Sequence, residues 1–167
     1  MKRGATKEEI IRTTQDLITR NGIRAVRVDE IAQRLGISKR TLYEMFADKN
    51  DLISACLDDL ARRQRQRIAA SRRRRSGNPL QRTLRLANDY IDSLYTVDHS
   101  FLADIRRKVL FAEQYDEHRE FWRKELSLNL EECRGGGLLL SEIDTAALAE
   151  QLMSTLFELR LNRTTRE

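Results

Sequence analysis

The chain has 167 residues, of which 34% are charged and 40% are hydrophobic, with one proline and seven glycines. Abundant helix-forming residues without alternating β-branched runs predict an all-α fold. No apolar run approaches the roughly 20 residues that span a bilayer, and the charged N terminus opens directly into a helix, so we expect a cytoplasmic protein with no membrane partner. Cys56 and Cys133 are too far apart in sequence to indicate a disulfide framework or a zinc site.

The positive charge is concentrated in the first half of the chain. Residues 1–76 contain 19 Lys and Arg against 10 Asp and Glu, a net charge of +9, whereas residues 77–167 contain 12 against 16, a net charge of −4. Because phosphate neutralisation releases counterions, the basic half is a plausible binder of a polyanion such as DNA.

The first predicted helix starts after Thr6 as N-cap and ends at Asn21-Gly22. Two shorter amphipathic helices follow between Arg27 and Lys49, and Gly36 closes the first of them in a left-handed conformation. Ser38 caps the second, whose apolar face is Leu42 and Phe46. This arrangement predicts a helix-turn-helix whose outer face meets phosphates and base edges in a major groove.

The run DEIAQRLGISKRTLYEMFADKNDLI, residues 29–53, resembles the DNA-binding segment of the TetR family of bacterial transcriptional regulators. That family's pattern is an acidic residue, Ile-Ala, Gly-Val/Ile-Ser, Thr-Leu-Tyr, Phe, then Lys and Leu. With Ile10 to Gly22, the resemblance covers about the first third of the chain. It implies a homodimeric repressor that binds a pseudo-palindromic operator in double-stranded DNA and is released by a small-molecule effector. No enzymatic activity, cofactor or metal is implied.

The predicted DNA-binding residues lie on and around the second helix of the motif: Arg27, Ser38, Lys39, Arg40, Thr41, Tyr43 and Lys49. Family members commonly carry threonine where Arg27 stands and glycine where Arg40 stands, so both positions add positive charge. We expect Arg27 to contact phosphate, and Arg40 either to read guanine or to add a phosphate contact. Ser38 and Thr41 are divided between capping and DNA contact.

A long fourth helix is predicted after Asp48 as N-cap, and eight arginines lie between Arg62 and Arg75. The run is either a second DNA contact or a solvated helix end that frays into a linker, and we favour the linker. Asn78-Pro79 predicts the start of a new helix. The predicted domains are therefore a helix-turn-helix DNA-binding domain (1–50), a connecting helix with a basic linker (51–77), and a helical regulatory and dimerisation domain (78–167).

The last two predicted helices are Glu113–Cys133 and Asp144–Leu161, separated by three consecutive glycines. By resemblance, these helices pair with their copies across a two-fold axis. The predicted dimer interface is an apolar stripe on the last helix, formed by Leu148, Leu152, Leu156 and Leu159. The alternative is that these leucines pack within the monomer.

The candidates for an effector pocket are four aromatic residues between positions 78 and 130: Tyr90, Phe101, Tyr115 and Trp122. The alternative is that they are ordinary core residues. His99 and His118 are too isolated to indicate a metal site, and no catalytic constellation is visible. A second hypothesis is therefore a constitutive DNA-binding protein with a filled body and no effector.

Overall fold

The computed structural model describes residues 5–73, 77–107 and 111–162, and these ranges contain eight α-helices. In chain order they are α1 (Lys7–Asn21), α2 (Val28–Leu35), α3 (Lys39–Met45), α4 (Lys49–Arg73), α5 (Pro79–Tyr95), α6 (His99–Arg106), α7 (Ala112–Gly135) and α8 (Thr145–Asn162). The predicted all-α fold is confirmed. None of the helices in the described ranges is long and apolar enough to cross a membrane.

Local hydrogen bonds begin the helices at the predicted residues. The side chain of Thr6 accepts from the amide of Glu9, whose carboxylate accepts from the Thr6 amide, which forms a complete capping box. Asn78 makes the same reciprocal pair with Gln81, with Pro79 at the first helical position. These contacts satisfy amides that the helix itself leaves unpaired. Two more predicted caps, Ser38 and Asp48, accept backbone amides in the same way, and so does Asp98 at the start of α6.

The chain forms two compact units, and neither is continuous in sequence. The first comprises Met1–Arg63 and Val97–Gln114, and the second comprises Gln64–Thr96 and Tyr115–Glu167. The core of the first unit consists of apolar side chains from α1 to α4, including Ile10, Leu17, Ile18, Ile31, Leu42, Phe46, Leu52 and Ile53. In the second unit, the buried side chains from α4, α5, α7 and α8 include Ile68, Leu86, Trp122, Leu126 and Met153.

Helix α6 belongs to the first unit, because it is tied to the end of α1. The amide of Asp98 donates to the carbonyl of Thr19 at 2.6 Å, and the amide of Arg24 donates to the Asp104 carboxylate at 3.0 Å. Gly22, which lies between Thr19 and Arg24 in the sequence, has φ 85°. A Cβ added to it would come within 2.8 Å of Asp104 Oδ2. The predicted boundaries at 50 and 77 place α6 in the third domain. These boundaries stay a prediction.

Within the described residues, α4 continues along the arginine run to Arg73, and the predicted linker at the end of the run stays a prediction. Arg62 and Arg63 both pair with Asp59, the second at 2.7 Å. Arg72 pairs with Glu125 on α7 at 3.3 Å. These local and tertiary ion pairs hold the arginines along a regular helix. Residues 74–76, the end of the run, lie outside the described residues.

Candidate nucleic-acid interface

The helix-turn-helix is built around the turn at Gly36. Gly36 has φ 63°, in the left-handed region, and its amide donates to the carbonyls of Ala32 and Gln33 at the end of α2. The amide of Ile37 also donates to the Ala32 carbonyl, at 3.0 Å. Leu42 of α3 is then buried with Ile31 of α2 in the same core. The buried sides of both helices are thereby fixed, which leaves the opposite side of α3 exposed.

Two basic side chains on the exposed side of α3 are held by carboxylates. Lys39 Nζ lies 2.6 Å from Asp29 Oδ1 on α2, and this hydrogen bond, with the charge of Asp29, raises the pKa of Lys39. Arg40 Nε lies 3.2 Å from Glu44 Oε1, one turn further along α3. Each of these four side chains is at least half exposed. Exposed ion pairs contribute little to stability, so either cation can exchange its carboxylate for a phosphate.

Ser38 and Thr41 are engaged in capping. Ser38 Oγ accepts from the Thr41 amide at 3.0 Å, and the two hydroxyl oxygens lie 2.9 Å apart. The Ser38 side chain therefore satisfies the first turn of α3, and its contact with DNA stays a prediction.

The other predicted DNA-binding residues surround α3. Tyr43 is 45% exposed, an unusual exposure for a ring in this unit. Lys49 is the first residue of α4, where the helix N terminus favours anions. Arg27 is exposed at the N-cap position of α2 without a side-chain capping bond. Thus α3 and the starts of α2 and α4 carry all seven predicted residues, and DNA contact by each of them stays a prediction.

Sequence reasoning missed the counter-ions of Lys39 and Arg40. The spacing of Arg40 and Glu44, four residues apart on one helix, was a sufficient signal for their pair. No comparable signal existed for Lys39 and Asp29, because they lie on different helices and meet only once the turn at Gly36 has folded.

Three of the four predicted pocket aromatics belong to the second unit. The rings of Tyr90 and Trp122 meet edge to face with centroids 5.2 Å apart, and Tyr90 Oη donates to the Met153 carbonyl at 3.5 Å. Tyr115 packs edge to face against Phe157 with centroids 6.4 Å apart. Burial raises the pKa of Tyr90, so its hydroxyl stays protonated. Phe101 instead packs against the core of the first unit, because α6 is docked there.

The predicted interface leucines lie off the buried face of α8. Its buried residues are Thr145, Ala149, Met153 and Leu161. The predicted stripe consists of Leu148, Leu152, Leu156 and Leu159. Its first three residues are partly buried, and Leu159 is 52% exposed. The stripe therefore retains apolar surface within a single chain, and its role in dimerisation stays a prediction.

Acidic, histidine and cysteine side chains do not gather into a metal-binding group within the described residues. Cys56 and Cys133 are free thiols in buried positions. Burial raises the pKa of Cys56 to about 12, with the Asp59 charge adding to the effect, so the thiol is protonated and unreactive at neutral pH.

Sequence similarity to known proteins lies in the region of the helix-turn-helix. Residues 10–56 match the sequence profile described as bacterial regulatory proteins, tetR family. Over 51 residues the chain is 43% identical to an uncharacterized HTH-type transcriptional regulator of Mycobacterium tuberculosis, strain H37Rv. That match covers 30% of this chain and 21% of the relative, so the chain matches about a fifth of its relative's length.

Solved structures share the fold over almost the whole chain. A transcriptional regulator from Saccharomonospora viridis in complex with choline aligns with a TM-score of 0.81 and 19% identity, over 93% of this chain and 83% of that one. A TetR transcription regulator from Haloarcula marismortui aligns with a TM-score of 0.79 and 20% identity, over 92% and 83%. FadR from Bacillus subtilis in complex with stearoyl-CoA aligns with a TM-score of 0.67 and 17% identity, over 94% and 86%.

Proposed function

We propose that the chain is a member of the TetR family of bacterial regulatory proteins, whose profile matches residues 10–56, and that it is a homodimeric, effector-controlled repressor of transcription that binds a pseudo-palindromic operator. The observation that carries the proposal is the exposed basic surface of α3, set on a helix-turn-helix core by the turn at Gly36. The DNA target implies action in the cytoplasm.

Electrostatics support DNA as the partner. The basic side chains around α3 lie within residues 1–76, which carry a net charge of +9. Arg27 and Lys49 flank the recognition helix α3, where they are suited to hold the phosphates on both sides of a major groove. Lys39 and Arg40 lie in the first turn of α3, the part of a recognition helix that reaches base edges.

Dimerisation is supported by the apolar surface that α8 retains. One α3 spans too few base pairs for a unique site, whereas two copies related by a two-fold axis read two half-sites one helical turn apart. The predicted interface is isologous, with the same stripe contributed by both copies: Leu148, Leu152, Leu156 and Leu159.

Control by an effector is supported by the second unit and by structural relatives. The S. viridis and B. subtilis proteins were solved in complex with choline and with stearoyl-CoA, so this fold accommodates small molecules. An effector weakens DNA binding only if it prefers a conformation with wrongly spaced recognition helices, and only by its difference in affinity for the two conformations.

Selection of DNA sequences from a random library by the purified chain tests the function. We expect enrichment of an inverted repeat whose half-sites lie about 10 base pairs apart, centre to centre. Enrichment of single, unpaired half-sites contradicts the dimeric repressor, and absence of any enriched sequence contradicts operator binding. The double variant Arg40→Ala and Tyr43→Ala, which leaves the buried side of α3 intact, is the control and should lose the enrichment.

A further inference from the structure

The second unit contains two buried nitrogen atoms that have no hydrogen-bond partner among the described residues. They are Nε of Arg65 on α4 and Nδ1 of His118 on α7. Buried polar groups in folded proteins are nearly always paired, because desolvating an unpaired donor is costly. Two such atoms in the same unit therefore require an explanation.

Each of the two side chains contacts one ring of the same aromatic pair, Phe121 and Trp122. The guanidinium carbon of Arg65 lies 5.6 Å from the centroid of the Phe121 ring, in a cation–π contact. The Phe121 ring is 6.2 Å from that of Trp122, and Trp122 Nε1 donates to Nε2 of His118 at 3.2 Å. Arg65 and His118 are thus linked through Phe121 and Trp122.

The hydrogen bond from Trp122 determines which His118 nitrogen carries the proton. An indole N–H can only donate, so Nε2 of His118 must accept through its lone pair. A neutral imidazole then carries its proton on Nδ1, the unpaired atom. Burial, assisted by the positive charge of Arg65, lowers the pKa of His118 to about 4, which keeps the ring neutral at physiological pH. Both unpaired nitrogens are therefore N–H donors, and one of them belongs to a cation.

We propose that Arg65 and His118 form a binding site for a small organic carboxylate, which accepts hydrogen bonds from Arg65 Nε–H and His118 Nδ1–H while its apolar part packs against Phe121 and Trp122. This inference rests on the proposed effector control and names the chemical class of the effector. A carboxylate has only acceptors and has lone pairs for both donors, and the Arg65 charge strengthens its hydrogen bond. The same charge disfavours a cationic ligand.

Trp122 provides a direct measurement, because it is the chain's one tryptophan and is hydrogen-bonded to His118. We would titrate the full chain with acetate, hexanoate, octanoate, benzoate and phenylacetate, each paired with its primary amide, and follow tryptophan fluorescence and thermal unfolding. We expect at least one carboxylate to bind at least tenfold more tightly than its amide. If every carboxylate binds no better than its amide, the proposal is overturned.

Variants separate the two donors from general effects of the fold. Arg65→Gln and His118→Phe should each weaken binding of that carboxylate at least tenfold. Arg67→Gln, at an exposed arginine two residues further along α4, is the matched control and should bind as the wild type does. If Arg65→Gln does not fold, Arg65→Lys keeps the charge but lacks the Nε–H donor, and it should show the same loss. Unchanged carboxylate binding in a folded Arg65 variant overturns the proposal.

Binding of the selected operator DNA by the same samples distinguishes this proposal from the proposed function. If the wild type binds operator but no carboxylate, the carboxylate site is wrong and the DNA-binding function stands. If it binds a carboxylate through Arg65 but no operator, the site stands and the regulatory function is wrong. Release of operator by the bound carboxylate supports both.

Discussion

Arg40 occupies the second position of α3 with its side chain 89% exposed, and it forms an ion pair with Glu44 on the same helix. An exposed pair of this kind is worth little, so Glu44 does not prevent the guanidinium from reaching a base. Lys39 is held more specifically, because Asp29 fixes it from a different helix. We therefore expect Arg40 to be the more adaptable of the two and to read a base.

We predict that Arg40→Ala relaxes the preference for guanine at one operator position by about 1–3 kcal/mol, since a planar guanidinium recognises guanine through two hydrogen bonds. Competitive binding to operators substituted at single positions measures the effect. Arg34→Ala, which removes an exposed arginine paired with Glu30 on α2, should leave every base preference unchanged. An equal loss of affinity for all sequences in Arg40→Ala would instead identify a phosphate contact.

His118 should make stability depend on pH. An unfolded histidine takes up a proton near pH 6.5, whereas burial keeps His118 neutral down to about pH 4. Between these values the unfolded chain binds more protons, so the free energy of unfolding falls as the pH drops, by at most about 3 kcal/mol from this residue. We predict that the free energy of unfolding of His118→Gln, measured by urea denaturation at several pH values, falls less steeply between pH 6.5 and pH 4 than that of the wild type. Identical slopes in wild type and variant would show that His118 titrates normally.

At the scale of the elements, α6 packs with the first unit although it follows α5 of the second unit in the sequence. Three contacts bind it to the end of α1: the Asp98–Thr19 and Arg24–Asp104 hydrogen bonds and the close approach at Gly22. An alanine at position 22 must adopt a positive φ and also displace the Asp104 carboxylate. At Gly36 the φ is likewise positive, but an added Cβ meets no atom within 4 Å.

We predict that Gly22→Ala lowers the free energy of unfolding by about 2–3 kcal/mol, combining backbone strain with the loss of the α1–α6 contact. Gly36→Ala is the matched control and should cost only about 1–2 kcal/mol, the strain of a left-handed alanine. Urea denaturation compares the two variants. Equal losses would mean that the close approach of α6 to Gly22 contributes nothing to stability.

At the scale of the whole molecule, α4 contributes residues to both units, with Arg63 ending its part in the first and Gln64 beginning its part in the second. Its arginines make ion pairs in each unit, with Asp59 in the first and Glu125 in the second. Three of the eight arginines in the run, Arg62, Arg63 and Arg72, therefore have ion-pair partners within the chain. Among the described residues, α8 retains apolar surface at the predicted interface stripe, where Leu159 is 52% exposed.

We predict that Leu152→Arg combined with Leu159→Arg converts the proposed dimer to a monomer, because burying two arginines without partners at an apolar interface is strongly unfavourable. Sedimentation velocity measures the mass, and operator binding should weaken at least tenfold because one half-site is lost. Leu84→Arg, at an exposed leucine on α5, is the control and should leave both properties unchanged. A double variant that remains dimeric would exclude this stripe as the interface.

The sequence by itself determined the helices, their caps and the helix-turn-helix. A cap such as Thr6, and a turn such as that at Gly36, depend on residues within four positions, so their hydrogen bonds can be inferred from spacing alone. The TetR resemblance came from the same local features, since helix, turn and helix are consecutive in the chain.

Only the tertiary structure decided which distant side chains meet. The Lys39–Asp29 pair, the docking of α6 beside Gly22 and the linkage of Arg65 to His118 join residues from separate parts of the fold. Phe101 was therefore grouped by sequence with Trp122, although packing assigns it to the first unit. Helical periodicity states which residues share a face, whereas the packing of side chain against side chain determines which other helix that face contacts.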